Sequence, residues 1–287
     1  MYRRKFLEMG AGLAVAPLFA QAPDAAELPK GEPAVSPAFQ TKDPKMRVFI
    51  TGSASGLGHL AAEALLAAGH EVVVHVRSEA RRSAVAELVA RGARVSIGDL
   101  SDLSEIRRLA DQVNAIGRMD AVIHNAGVIS GASLLIVNVI APYLLTALMQ
   151  RPKRLIYLSS RMHQGGRPEL AGLDWSGQRV TASYSDSKLF VTTLARAVAR
   201  LWPEVLSNAV DPGWVPTRMG GPGAPDDLTL GHLTQEWLAT SKDPEALKSG
   251  FYWHHQRIQE PHPASGDVDF QNRLLAELAR VTGTALG

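Results

Sequence analysis

The sequence predicts an α/β protein built on one doubly wound parallel sheet with helices on both faces. Two observations carry that prediction. Short apolar runs of strand length alternate with helix-length stretches along most of the chain, and a glycine-rich turn joins the first such strand to the first such helix. Composition agrees, since 287 residues with 46% hydrophobic and 20% charged content suit one large domain with additions.

The elements follow in order. Strands are expected at Arg47 to Thr51, Glu71 to Val76, Arg94 to Ile97, Ala121 to His124, Arg154 to Leu158 and Ser207 to Val210. Leu57 to Ala68 and Glu79 to Ala90 read as helices stopped by Gly69 and Gly92. A last strand and its loop are expected around His254-His255. A final helix from Asp267 to Arg280 would pack Phe270, Leu274, Leu275 and Leu278 on the domain.

Charge and cysteine content narrow the function classes. With 30 basic and 28 acidic side chains the net charge is +2, which points to neither nucleic acid nor an anionic membrane as partner. The absence of cysteine excludes disulfides, thiolate metal sites and a cysteine nucleophile. His254, His255 and His262 make a poor metal set, because neighbours on a strand point to opposite faces; no metal is expected.

The N-terminus bears on localisation. Arg3-Arg4-Lys5-Phe6-Leu7 precedes an apolar run from Met9 to Ala20 and the small-x-small pattern Ala20-Gln21-Ala22. Residues 1–22 look like a twin-arginine export signal, and 23–45, rich in Pro, Ala and charge, read as a linker. The domain then spans 46–287 in the periplasm, with no stable membrane span after processing. If Met46 is the true start, the protein is cytoplasmic.

Four motifs occur in an order that assembles a hydride-transfer site: Thr51-Gly52-Ser53-Ala54-Ser55-Gly56-Leu57-Gly58, Asn125-Ala126-Gly127, Ser159-Ser160 and Tyr184-Ser185-Asp186-Ser187-Lys188. In the first, backbone amides at a helix N-terminus face a pyrophosphate that no side chain obstructs. In the last, Tyr184 and Lys188 share one helix face. The ammonium beside the phenol favours its ionised form and makes an acid/base group.

Glycine spacing and motif order together resemble the short-chain dehydrogenase/reductase family, with its Rossmann-type sheet, over essentially all of Met46 to Gly287. The longer stretch between Ser160 and Tyr184, and Ser249 to Trp253 with Phe270 to Gly283, resemble its retinol-dehydrogenase-like and protochlorophyllide-reductase-like members. The resemblance implies Tyr184 as proton donor in reduction and base in oxidation, Ser160 as polarising hydroxyl with Ser159 as its rival, and Lys188 at the nicotinamide ribose. Asn138 would order a proton-supply water. It further implies cofactor contacts from Gly52, Ser53, Ser55, Gly56, Leu57, Gly58, Asp99, Leu100, Asn125, Ala126 and Gly127, and from the loop containing Pro212, Gly213, Val215 and Thr217.

Cofactor choice turns on the end of the second strand. Val74-His75-Val76-Arg77-Ser78 has no acid for a free ribose, and Arg77 suits a 2′-phosphate, so NADP(H) is favoured over NAD(H). The substrate class implied is small or medium and apolar. The lid would cover about 214–250, with Trp214, Met219, Leu233 and Trp237 either lining the pocket or packing the lid. Family members often form homodimers through the helices after the fourth and fifth strands. One departure stands out: Val128 to Val137 is shorter than the family's usual segment before Asn138. Three functions stay open: alcohol/carbonyl interconversion, carbon-carbon double-bond reduction, and nucleotide sensing without turnover.

Overall fold

A computed structural model describes residues 45–287; the expected signal and all of the linker except Lys45 lie outside the described residues. The eight strands are β1 (Arg47–Ile50), β2 (Glu71–Val76), β3 (Arg94–Ile97), β4 (Ala121–His124), β5 (Arg154–Leu158), β6 (Leu206–Asp211), β7 (Tyr252–His254) and β8 (Arg257–Gln259). They form one sheet of order β3-β2-β1-β4-β5-β6-β7-β8, parallel throughout except where β8 returns antiparallel to β7. The order reverses between β1 and β4. Connections leave these two strands in opposite directions, and the crevice between their carboxyl ends is where such sheets bind ligands.

Strand periodicity of two divides the core into two layers. Phe49, Val122, Leu155 and Tyr157 face one side, where α3 (Leu103–Ile116), α4 (Ala141–Leu148), α5 (Tyr184–Leu201) and α7 (Val268–Thr282) lie. Val48, Ile50, Ile123, Ile156 and Leu158 face the other, under α1 (Gly56–Ala67), α2 (Ala86–Ala90) and α6 (Leu228–Thr240). Burial on both faces explains why these strands are almost continuously apolar rather than alternating.

Three local differences from the sequence expectation have physical causes. The helix expected over Glu79 to Ala90 is a 3-10 stretch, Glu79–Val85, followed by the short α2. The 3-10 stretch buries only Val85, so no apolar face holds it to the sheet as Leu88 holds α2. Beyond the expected last strand, His255 and Gln256 adopt φ of 47° and 60° and turn the chain into β8, which sequence reading did not include. The segment expected as a lid divides. Its helix α6 packs on α1 and the sheet, with Trp237 edge-on to Trp253 at 5.2 Å between ring centroids. Trp237 therefore packs the core, and only the loop before α6 borders the crevice.

C-terminal residues pack against α5 and reach α4, the helices through which a dimer was expected. Phe190 of α5 packs against Phe270 of α7 at 6.1 Å, and Tyr143 of α4 donates its hydroxyl hydrogen to the Thr284 carbonyl at 2.7 Å. Among the described residues no helix is long and apolar enough to cross a membrane, and no cluster of three or more His, Cys, Asp or Glu could hold a metal.

Candidate active site

A cleft of about 440 Å³ opens at the β1/β4 reversal. Its floor is the glycine loop, where Gly52 and Gly56 take φ of 71° and 62°, a left-handed conformation that favours glycine. Gly58 lies within α1 behind this loop, because a Cβ there would collide with Asn125 Nδ2 and come 2.9 Å from the Gly52 carbonyl. Asn125 Nδ2 in turn donates to the Thr51 carbonyl at 2.9 Å, and Ala126 N donates to Thr51 Oγ1 at 3.0 Å. The Asn-Ala-Gly motif thus buttresses the glycine loop while its backbone lines the cleft.

The adenosine end is formed by the termini of β2 and β3. Arg77, Arg81, Asp99, Leu100 and Ser101 line it. Arg77 Nε lies 3.9 Å from Asp99 Oδ2, a long and exposed pairing that leaves the guanidinium available to an anion. Asp99 also accepts from Ser101 N and Oγ at 2.9 and 2.7 Å. Arg81 was not anticipated. Its neighbour Arg77 is the signal that pointed to this wall.

His75, also missed, sits under the same wall with its residue 3% exposed. Nδ1 accepts from Gly52 N at 3.0 Å, which assigns the proton to Nε2, and Nε2 donates to the Gly98 carbonyl at 2.7 Å. Burial lowers the His75 pKa, with the Gly98 bond and the Asp99 charge opposing. A single polar residue inside the apolar run Val72 to Val76 was the available sequence signal.

The catalytic end assembles around α5. Ser183 caps this helix in a reciprocal capping box with Asp186, so Tyr184 and Lys188 enter on its first turn and a half. Lys188 is buried, donates from Nζ to the Leu158 carbonyl at 2.7 Å, and lies 5.5 Å from the Tyr184 ring centroid. Burial pulls its pKa down to about 8 against the opposing charge of Asp211. Tyr184 departs from the sequence expectation of a lowered pKa. Burial pushes it up to about 12, opposed by a hydrogen bond from Ser160 and reinforced by the Asp211 charge.

The two serines separate cleanly. Ser159 lines the cleft but its Oγ pairs with Thr192 Oγ1 at 2.6 Å inside the fold, whereas Ser160 Oγ accepts from Met162 N at 3.2 Å and caps the turn that follows β5. Ser160 is held from behind by the buried His163, which sequence reading also missed. His163 Nδ1 donates to the Ser160 carbonyl at 2.8 Å, and its Nε2 accepts from His262 N at 2.9 Å. Ser160 belongs to a motif, but His262 lies 99 residues beyond His163 along the chain, so only the fold reveals the arrangement.

Asn138 lies in a π-helical turn, Ile136–Ile140, leading into α4. Its Oδ1 accepts from Val128 N at 2.9 Å, and its Nδ2 donates to the Val128 carbonyl and to Ser187 Oγ, each at 2.9 Å. The side chain ties the loop after β4 to α5, next to Lys188. Both amide hydrogens are engaged, so Nδ2 has none left to give a water. The short 128–137 segment leaves this link intact.

Other anticipated residues fall outside the cleft wall. Ser53 is buried, with Oγ donating to the Ile50 carbonyl at 2.6 Å. Val215 is buried against α6, where its side chain blocks any Cβ at Gly231. Gly213 turns the loop at φ 82°, while Ser55, Leu57, Gly127, Pro212 and Thr217 do line the cleft. His124 is a core residue stacked on Tyr157 at 4.7 Å, its pKa lowered by burial to about 3.

The site fits a dinucleotide on its own features. Ser55 makes no side-chain cap to α1, and no acidic residue stands in that helix's first turn, so its amides are free for an anion. The buried Lys188 ammonium supplies positive charge at the opposite end of the cleft.

Comparison with known proteins agrees. The short chain dehydrogenase family profile matches residues 46–151. An uncharacterized oxidoreductase of Emericella nidulans is 36% identical over 84% of this chain and 98% of its own, and human retinol dehydrogenase 13 is 28% identical over 84% and 85%. A crystal structure of a Mycobacterium paratuberculosis protein superposes with a TM-score of 0.70 at 26% identity, covering 86% of this chain and 97% of that one. The chain belongs to the short-chain dehydrogenase/reductase family and resembles its retinol-dehydrogenase-like members. It is an oxidoreductase with a nicotinamide-dinucleotide-binding fold.

Proposed function

We propose that the protein is an NADP(H)-dependent oxidoreductase that interconverts an alcohol and a carbonyl on a small or medium apolar substrate. The observation that carries this reading is the Tyr184 phenol at the cleft with the buried Lys188 ammonium 5.5 Å from its ring centroid, together with the Ser160 hydroxyl on the turn after β5. Two hydrogen-bond donors and a cation suit an oxygen that gains negative charge. The amides of Ser55, Gly56 and Leu57 would hold the pyrophosphate, Arg77 and Arg81 a 2′-phosphate, and Lys188, Pro212 and Thr217 the nicotinamide end. When bound, the cofactor supplies or accepts the hydride at the substrate carbon.

In reduction, Ser160 Oγ–H orients the carbonyl oxygen while Tyr184 gives it a proton; Lys188 stabilises the resulting tyrosinate. A phenol held near 12 stays protonated at neutral pH, as a proton donor in reduction must be. Exposed Ile129, Met162, Trp214 and Met219 lie on the loops after β4, β5 and β6. Apolar side chains at those strand ends support an apolar substrate.

The test is turnover by the full chain with NADPH or NADH against a panel of aldehydes and ketones, beside Tyr184→Phe. NADPH-dependent reduction lost by about 10²- to 10⁴-fold in the variant is expected, and products reduced at a carbon-carbon double bond would overturn the carbonyl assignment. Binding without turnover would favour a sensor. Export through the Arg3-Arg4 segment belongs to the same proposal. It predicts periplasmic protein on cell fractionation, lost when both arginines become lysine.

A further inference from the structure

We infer that His75 is the positioning residue of the dinucleotide site, its neutral imidazole clamping the pyrophosphate loop to the adenosine wall; the inference rests on the dinucleotide reading above. The two surfaces come from different strands. The glycine loop follows β1, and Gly98-Asp99 follows β3, with β2 between them. One ring spans both, accepting from Gly52 N at 3.0 Å and donating to the Gly98 carbonyl at 2.7 Å.

Backbone bonds at the same residue complete the clamp. Ser53 N donates to the His75 carbonyl at 3.1 Å, and His75 N donates to Ser53 Oγ at 3.2 Å. Residue 75 therefore extends the β1/β2 pairing into the glycine loop and fixes where Gly52 turns. Gly98 precedes Asp99, which faces Arg77 across the adenosine end, so a shift of Gly98 moves that wall. No other side chain bonds to both Gly52 N and the Gly98 carbonyl among the described residues. An apolar side chain at 75 could fill the space but would leave both backbone groups without their partner, and a rigid loop is what lets amides meet a phosphate without reordering.

The role requires one tautomer, with the proton on Nε2. Nitrogen-detected NMR of the histidine-labelled full chain reads that directly, and an Nδ1–H ring at His75 overturns the inference. Titration with NADPH supplies the second readout. His75→Ala should raise the Kd by at least about tenfold. His75→Asn, whose carboxamide oxygen replaces Nδ1 as acceptor from Gly52, should restore more affinity than His75→Gln, which can reach only toward Gly98.

Wild-type affinity in the alanine variant, or Gln rescuing better than Asn, overturns the positioning role. If the alanine variant does not fold, the Asn and Gln order still decides. Failure of the wild-type chain to bind either NADPH or NADH would instead remove the dinucleotide reading itself, leaving a distinct signature from a failed clamp.

Discussion

The cofactor half of the cleft and its catalytic half use the same material differently. Around β1 to β3, position is set by backbone conformation, close glycine packing and a buried neutral histidine, while the charged groups Arg77 and Asp99 stand at the surface with weak mutual contact. Around β5, β6 and α5, Lys188 is buried and Tyr184 partly buried, and their pKa values move to about 8 and about 12. Each half has its histidine brace, with opposite tautomers: His75 carries its proton on Nε2 and His163 on Nδ1. A site that must recognise an anion needs rigid amides, whereas one that must move a proton needs a dry environment. The same sheet supplies both at neighbouring strand ends.

That contrast can be broken most forcefully at α6, which supports the cofactor half through α1. Trp237→Ala should cost about 3–5 kcal/mol in urea unfolding, whereas Trp214→Ala, at 60% exposure, should stay within about 0.5 kcal/mol and change substrate KM instead. A Trp237 variant of normal stability would return α6 to the role of a mobile lid. Next, Gly58→Ala forces a Cβ into Asn125. Overpacking of about 1–3 kcal/mol should weaken NADPH binding roughly ten- to hundredfold, read by fluorescence titration.

His163→Ala sharpens the comparison from the catalytic side. Loss of the ring bond to the Ser160 carbonyl, with the backbone bond from His163 N at 2.9 Å kept, should lower kcat by up to about tenfold with NADPH Kd unchanged, the reverse of the pattern expected at His75. Equal effects on Kd from both histidines would erase the distinction between the halves. The smallest expected effect is on pH. Burial disfavours the Lys188 ammonium, so its charge is complete below about 8 and lost above; the rate of carbonyl reduction should be level at lower pH and about half-maximal near that value. A profile flat to pH 10 would remove Lys188 charge from the mechanism.

Much of the site was legible because its chemistry repeats in short motifs. The spacing of Gly52, Gly56 and Gly58 reflects positive φ at the first two and close packing at the third, and a four-residue interval is enough to bring Tyr184 and Lys188 to one helix face. The lid boundary was not legible, since Leu228 to Thr240 carries the same apolar content whether it lines a pocket or packs on α1. The direction of the Tyr184 shift was missed for a related reason. A neighbouring lysine can be counted along the chain, but desolvation depends on everything packed around the phenol.

By itself, the sequence determined the alternation of strands and helices, the glycine turn and the order of the polar residues that meet at the cleft, because these rest on local backbone preference and periodicity. Only the tertiary structure decided that the Ser159 hydroxyl is tied to Thr192, which way the Tyr184 pKa moves, and that His75 and His163 brace the two halves. Those outcomes depend on carbonyls and amides supplied by elements distant along the chain, and on burial that no single segment creates.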